Sequence, residues 1–169
     1  MTDPILIPRG TTLTIWTPPS WGHPRATIPH LVGLALADVS DPTVQAFARS
    51  IGSQGTKAER ADRLLRAVDG RIRYELDTQP TDDEPTERIR APHVTLDRGA
   101  GDCDCMGGLI FCLAILLGLR PRVCVVAANH PERPHHVWIE VLTENGWTAL
   151  DPVLQPASLG RHLDGRIVV

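Results

Sequence analysis

The sequence predicts a single α+β domain in which helices precede an antiparallel sheet. Apolar residues recur at helical spacing over residues 41–70, and a mostly apolar helical run follows at 103–118. Residues 120–152 instead contain short segments that alternate in polarity and are joined by turns. Strands joined by turns, with no helix between them, favour antiparallel pairing. Helices in one part of a chain and strands in another are typical of the α+β class.

The composition fits one globular domain and gives no sign of a charged partner. The chain has 169 residues, of which 42% are apolar and 22% charged, and its formal net charge is −3. Because acidic and basic residues are mixed along the chain, we expect neither a nucleic acid nor a membrane as partner. The N-terminus lacks a signal-peptide pattern, and the most apolar stretch, residues 107–119, is shorter than the roughly 20 residues that span a bilayer. We therefore expect a soluble protein.

Residues 1–40 are predicted to form an extended, proline-rich N-terminal arm, and residues 41–169 the folded domain. Six of the fifteen prolines lie in these first forty residues, on both sides of a strand-like segment at 11–17. Proline interrupts helices and sheet ladders alike, so an arm or an edge strand is expected. Trp16 and Trp21 need burial, either on the domain or against a protein partner.

Two amphipathic helices are predicted after the arm. Asp41 and Pro42 form a helix start and Gly52 a helix end. Thr56 and Glu59 have the spacing of a capping box that opens the second helix. The pattern leaves open whether this helix ends at residue 70 or continues through 71–76. Residues 78–100 lack clear periodicity and are predicted to be a long surface loop.

The segment from residue 99 to residue 152 contains the side chains that could take part in catalysis. A glycine-bearing turn precedes a helix that is apolar on most sides and closes at Gly118. Later, the alternation of a predicted strand puts His136, Trp138 and Glu140 on one face. A hairpin turn follows, and a short strand ends at Asp151, before a proline.

Cys103, His136 and Asp151 together fit a thiol-based catalytic site. Cys103 lies at the start of the buried helix, where the helix dipole and unbonded N–H groups favour a thiolate. A histidine on a neighbouring strand can form an ion pair with that thiolate, and a carboxylate on the next strand can orient the imidazole. These three residues follow that order along the chain, which predicts a Cys-His-Asp triad.

Four sequence blocks resemble the transglutaminase-like superfamily, in the order found in that family. They are a G-x-C turn that opens a buried helix, a Leu-Gly helix exit followed by arginine, an H-x-W-x-E-V strand and a W-x-x-x-D-P strand. The blocks correspond here to residues 101–103, 117–122, 136–141 and 147–152. The interval from cysteine to the Leu-Gly exit also resembles that of the family and selects Cys103, rather than Cys105, as the nucleophile. Weaker similarities upstream resemble short bacterial and phage-encoded members.

The resemblance implies a papain-like core and acyl transfer from an amide. In that scheme His136 deprotonates Cys103, the thiolate attacks the carbonyl of a peptide or protein amide, and water or an amine releases the thioester. The resemblance implies no cofactor and no metal. Because no export signal is recognised, we expect a location in the cytoplasm, or in the virion if a phage encodes the protein.

The sequence also contains candidates for residues that support the triad. The candidates are Asp102, Trp138, Glu140 and Tyr74. Glu140 is equally well explained as a solvated charge on a strand. Papain-type enzymes have an upstream glutamine that donates a hydrogen bond to the oxyanion, whereas Asp97 is nearest to that spacing here. The donor is therefore expected to be a backbone N–H near Cys103 together with Tyr74 or a tryptophan.

The other thiols and histidines have alternative explanations. Short family members commonly have an acidic residue where this chain has Cys105. A second thiol two residues from Cys103 opens two alternatives, oxidation of the two thiols to a disulfide or redox sensitivity. These two cysteines could also ligate zinc with His135 or His136. Structural zinc sites usually have two closely spaced pairs of ligands, and the spacing here does not match that pattern. His135 should point to the opposite strand face and is the fallback base. Cys112 and Cys124 lie in apolar runs and are predicted to be core residues.

A non-catalytic function is the alternative to an enzyme. The proline-rich arm with its two tryptophans, and the missing glutamine, are compatible with a structural or assembly protein of virion type built on the same fold. A fold by itself does not discriminate between these functions.

Overall fold

The computed structural model describes residues 13–16, 24–76, 86–126, 136–162 and 166–168. Trp21, His135 and most of residues 1–23 therefore lie outside the described residues. The helices are α1 Pro24–Ala37, α2 Pro42–Ile51, α3 Lys57–Arg71, α4 Pro92–Arg98 and α5 Cys103–Leu116. The strands are β1 Leu13–Trp16, β2 Arg73–Tyr74, β3 Thr86–Ile89, β4 Ala100–Gly101, β5 Pro121–Val126, β6 His136–Thr143, β7 Gly146–Leu150 and β8 Arg166–Val168. The predicted α+β class is confirmed.

The main sheet has four antiparallel strands in the order β7-β6-β5-β8. The meander of β5, β6 and β7 follows the prediction, with Val123 opposite Ile139 and Ile139 opposite Leu150. Strand β8 was not predicted, because three residues are too few to show alternation. One face of the sheet packs against α5 through residues such as Ile139, which is completely buried.

Helix α5 forms the centre of the core and is surrounded by other elements. Met106, Leu109, Ile110 and Leu113 are at most 1% exposed, and α1, α3, α4 and β6 all contact the helix. Each such side chain contributes about 1.5–3 kcal/mol when it is fully buried. No helix in the described part of the chain combines the length and the apolarity needed to cross a bilayer.

The predicted ends of α2 and α3 are confirmed. Asp41 accepts hydrogen bonds from the N–H groups of Thr43 and Val44, and Gly52 ends α2 with φ at +80°. Thr56 and Glu59 form the reciprocal capping box of α3. The length of α3, left open by the sequence, is settled by Arg71 as its last residue and Ile72 as its cap.

The prediction of an extended arm over residues 1–40 is wrong for residues 24–40. Residues 24–37 form α1, and a short 3₁₀ turn follows at Asp38–Ser40. Proline inside a helix costs about 3 kcal/mol, and α1 contains Pro29. Burial of Ile28, Leu31 and Leu34, at 7%, 0% and 2% exposure, offsets this cost. The strand-like segment is present as β1, which pairs antiparallel with β3.

The long loop predicted for residues 78–100 is also wrong over its second half. Residues 86–101 form β3, α4 and β4, while residues 77–85 lie outside the described part. Helix α4 has seven residues, Pro92–Arg98, and is capped by Gly99, whose φ is +65°. Elements this short show no readable periodicity, and they are stabilised by burial of residues such as Ile89 and Leu96.

Candidate active site

The turn before Cys103 requires a glycine at position 101. Strand β4 ends at Gly101 and pairs in parallel with β2, which places Gly101 beside Tyr74. A Cβ atom on residue 101 would lie 2.7 Å from the Cβ of Cys105, closer than packed carbons approach. Glycine therefore lets the chain fold back against the first turn of α5. This is the physical reason for the G-x-C pattern in the sequence.

Cys103 is the first residue of α5, as predicted, and is partly exposed. Asp102 is the N-cap, and its carboxylate accepts a hydrogen bond from the N–H of Cys105 at 3.3 Å. Asp102 therefore sets the start of the helix. The aligned peptide dipoles and unbonded N–H groups at this position favour negative charge on the sulfur of Cys103.

The direction of α5 relative to β6 shows which end of the sheet lies next to Cys103. The helix runs beside β6 in the same direction. One turn after Cys103, a Cβ atom on Gly107 would lie 3.9 Å from the Cγ1 of Val137. Beyond the far end of α5, Arg120 accepts a hydrogen bond from the N–H of Leu142. Cys103 therefore lies at the end of the sheet where β6 begins with His136.

His136 and Asp151 form a buried hydrogen-bonded pair at this end. The Nε2 of His136 lies 2.6 Å from Oδ2 of Asp151, and the side chains are 7% and 0% exposed. The other carboxylate oxygen, Oδ1, accepts a hydrogen bond from the N–H of Val153 at 3.1 Å. The carboxylate is thus held from two sides and fixes the imidazole plane. It binds Nε2, so Nδ1 is the nitrogen that can act on a thiol.

Trp138 lies in a stack of three rings. Its ring is stacked on His136 at a centroid distance of 5.8 Å and on His162 at 5.7 Å, with interplanar angles of 23° and 1°. Trp138 is 1% exposed and thus shields the face of His136 from water. No sequence pattern pointed to His162, because it follows the last predicted strand and belongs to none of the family-like blocks.

Glu140 is not a solvated charge, although it lies on the predicted face of β6. Its carboxylate is 1% exposed and accepts two hydrogen bonds from Arg122, at 2.9 and 2.5 Å. The guanidinium of Arg122 in turn lies 4.0 Å from the ring centroid of Trp147. Because Arg122 and Glu140 are register partners, this ion pair joins β5 to β6.

Tyr74 lies beside the start of α5. Its side chain is 43% exposed. The pKa of Tyr74 is raised, first by burial of the phenol and then by the negative charges of Cys103, Asp102, Asp104 and Asp151. The phenol is therefore within electrostatic reach of both Cys103 and Asp151, and it stays protonated at neutral pH.

The remaining cysteines are buried thiols. Cys105 is completely buried, and burial raises its pKa to about 12. Its S–H faces the carbonyl oxygen of Arg88 at 3.3 Å, and a guanidinium N–H of Arg90 donates to the sulfur at 3.4 Å. Cys112 and Cys124 are also completely buried, which confirms them as core residues. None of the four cysteines forms a disulfide in the structure.

One group of metal-type ligands occurs in the described part of the chain. Ligand atoms of Asp102, Asp104 and Cys105 lie within 4.8 Å of one another. This group differs from the zinc set considered from the sequence, since it has no histidine. Its thiol is held in the protonated form, whereas zinc binds thiolate, and Asp102 already caps α5. We assign no metal to it.

The burial of Cys112 predicts how stability depends on pH. Burial raises its pKa from 9.0 to about 12, so between these values the unfolded chain loses a proton that the folded protein keeps. The free energy of unfolding should therefore fall through this window by about 1.4 kcal/mol per pH unit for this thiol, with no such contribution below pH 9. Urea titrations at pH 8 and pH 10 measure it. Between pH 8 and pH 10, the free energy of unfolding of Cys112→Ala should fall by about 1.4 kcal/mol less than that of the wild type. Equal falls in the two proteins would contradict the prediction.

Comparisons with known proteins agree with the family and the fold expected from the sequence. The family profile described as the transglutaminase-like superfamily matches residues 45–152, nearly two thirds of the chain. The fold is similar to that of a proposed protease from Parabacteroides distasonis, with a TM-score of 0.57 and 11% identity, over 78% of this chain and 27% of that one. A proposed cysteine protease from Cytophaga hutchinsonii gives a TM-score of 0.48 and 14% identity, over 83% of this chain and 40% of the other. No curated protein sequence matches the chain. The resemblance and the fold expected from the sequence are confirmed, and the chain spans less than half of either solved protein.

Proposed function

Since this chain belongs to the transglutaminase-like superfamily, we propose that it is a thiol-dependent enzyme that cleaves an amide or transfers its acyl group. Cys103 is the nucleophile, His136 the base and Asp151 the residue that orients the imidazole. The observation that carries the proposal is the buried bond between His136 Nε2 and Asp151 Oδ2 at 2.6 Å, at the end of the sheet where α5 begins. A peptide or protein amide is the proposed substrate.

The reaction uses the two ring nitrogens of His136 for different tasks. Nε2–H stays bonded to Asp151, and Nδ1 takes the proton of the Cys103 thiol. The thiolate attacks the carbonyl carbon and forms a C–S bond. The C–N bond then breaks, and His136 returns the proton to the leaving amine. Water gives hydrolysis of the thioester, and an amine gives acyl transfer.

Negative charge on the carbonyl oxygen requires hydrogen-bond donors near Cys103. The unbonded N–H groups at the start of α5 supply one kind of donor. The phenol of Tyr74 is the proposed second donor, since it lies near Cys103 and its raised pKa keeps it protonated. This assignment replaces the glutamine that papain-type enzymes use.

Alkylation by iodoacetamide at pH 7 tests the proposal without a known substrate. The reaction forms a thioether and releases iodide, and only a thiolate reacts quickly. We expect Cys103 to be modified at least about 100-fold faster than Cys105 or Cys112, because burial raises the pKa of each of those two thiols to about 12. Peptide mapping after timed quenching measures each site.

Two controls make the labelling result specific. Denatured protein should react at all four cysteines, which shows that folding protects the other three. His136→Ala should slow the reaction of Cys103, because the thiolate then lacks its imidazolium partner. Equal, slow labelling of all four cysteines in the folded protein would overturn the catalytic proposal and favour the structural or assembly function.

A further inference from the structure

Two contacts hold the imidazole of His136, one at its edge and one on its face. At the edge, Nε2 lies 2.6 Å from Oδ2 of Asp151. On the face, the indole of Trp138 is stacked at a centroid distance of 5.8 Å. The hydrogen bond directs one nitrogen at its partner, and a flat ring on the face opposes tilting of the imidazole about that bond. The direction of Nδ1 therefore depends on Trp138 as well as on Asp151.

The orientation of Trp138 itself depends on ring contacts. Its side chain is 1% exposed, and its Nε1–H donates to no group in the described part of the chain. The buried apolar residues that cluster with it are no larger than valine: Cys124, Val126 and Ala149. Neither a hydrogen bond nor a large apolar member of this cluster fixes the indole. The rings stacked on it, those of His136 and His162, therefore restrict its tilt.

His162 supplies the ring of this stack that does not belong to the triad. Its imidazole is parallel to the indole of Trp138 within 1°, at a centroid distance of 5.7 Å. Aromatic rings with centroids about 4.5–7 Å apart attract one another in offset stacks of this kind. Because His162 is partly exposed, substitution there disturbs the core less than substitution of the enclosed Trp138.

The turn that carries His162 is fastened to the sheet and to itself. The N–H of Gly160 donates to a carbonyl of β7 at 2.9 Å. The guanidinium of Arg161 donates to the carbonyls of Gln155 and Pro156, at 2.9 and 3.1 Å. These bonds hold the backbone on both sides of the stacked imidazole's approach to the sheet. The contact of His162 with the indole is therefore supported by its own turn.

We infer that His162 is a positioning residue for His136 and acts through the ring of Trp138. This inference rests on the proposed function. Without the ring of His162, the indole gains freedom to tilt and the imidazole of the triad gains it too. Nδ1 is then aimed at the thiol of Cys103 for a smaller fraction of the time. The role requires a flat ring at position 162 and no proton on that ring.

The pH dependence of Cys103 alkylation by iodoacetamide measures how well the imidazole is placed. A thiolate paired with an imidazolium forms at lower pH than an isolated thiol, so the wild type should reach half its maximal rate below about pH 7. His162→Ala should raise this midpoint by at least about one pH unit, because the ion pair is weakened. His162→Phe keeps a flat ring and should stay within about 0.3 pH unit of the wild type.

The variants separate the stack from charge and from general destabilisation. His162→Phe removes the titratable group as His162→Ala does, so a shift confined to alanine reports the loss of the ring. His93→Ala removes a partly exposed imidazole that binds the buried Asp38. It should lower the free energy of unfolding and leave the midpoint unchanged. Other charged or titratable groups around the start of α5 are the same in all these proteins: Tyr74, Arg90, Asp102, Asp104, Cys105 and Asp151.

The outcomes separate this inference from the function on which it rests. Alkylation of Cys103 in the wild type as slow as that of the buried thiols overturns the proposed function. Fast alkylation in the wild type, with an unchanged midpoint in His162→Ala, overturns the positioning role alone. An equal rise in His162→Phe or in His93→Ala also overturns it. If His162→Ala shows no thermal transition, Arg161→Ala takes its place by loosening the turn, and an unchanged midpoint there overturns the inference.

Discussion

Cys103→Ala is expected to abolish amide turnover, with a loss of at least about 10⁴-fold in kcat/KM. The substitution removes the atom that forms the thioester, and removal of a nucleophile from such a triad leaves only the contribution of binding and oxyanion stabilisation. Activity is measured with a pool of acetyl-dipeptide aminocoumarin amides, whose cleavage releases a fluorescent amine. Because Cys103 is partly exposed, the variant should fold with nearly unchanged stability.

Two cysteine variants control for the loss of a thiol as such. Cys112→Ala and Cys124→Ala each remove a completely buried sulfur and should keep turnover while they lower the melting temperature. Turnover that survives in Cys103→Ala, with the thermal transition intact, would show that the nucleophile is a different residue.

Asp151→Asn is expected to lower kcat by about 10²–10⁴-fold while the fold is retained. The carboxylate accepts the hydrogen bond of His136 Nε2–H, and this holds the tautomer that leaves Nδ1 able to take the thiol proton. An amide of the same shape can present its NH₂ group to Nε2 and favour the opposite tautomer. The effect should fall on kcat more than on KM, because Asp151 is completely buried and does not face a substrate.

A second Asp-His pair, in which the aspartate is buried and the histidine partly exposed, provides the control. Asp38 Oδ2 lies 2.7 Å from Nδ1 of His93, and the Asp38 side chain is 4% exposed. This pair joins the turn after α1 to the start of α4. Asp38→Asn should lower the free energy of unfolding by about 1–3 kcal/mol and leave kcat unchanged. Equal kcat losses in Asp38→Asn and Asp151→Asn would indicate that general destabilisation, not loss of imidazole orientation, causes the effect.

The parts of the fold that could be predicted from the sequence are those with local causes. The caps of α2 and α3 depend on side chains within three residues of the helix start, as the bonds of Asp41 and Thr56 show. The start of α5 at Cys103 also follows from local chemistry, since Asp102 caps the helix and Gly101 allows the turn. Helix α1 could not be predicted in this way. It contains Pro29, and only burial against the rest of the core compensates for it.

The candidate site likewise has features that the sequence predicts and features that it does not. Strand alternation predicted that His136 and Trp138 share a face of β6, and the order of residues along the chain suggested Asp151 as partner. No local pattern could show that Arg122 binds Glu140 or that His162 stacks on Trp138, because these contacts join segments distant in sequence.

The sequence alone supplied the candidate nucleophile, base and orienting carboxylate. The helix start and strand alternation act over a few residues, and the order and spacing of the family-like blocks selected Cys103 and Asp151. The tertiary structure decided which thiol is exposed. Cys103 and Cys105 are two residues apart at the same helix start, yet packing leaves Cys103 partly exposed and encloses Cys105 completely, where burial raises the pKa of its thiol to about 12. The physical reason is that solvation of a side chain depends on the groups that surround it in space, and most of these are distant along the chain.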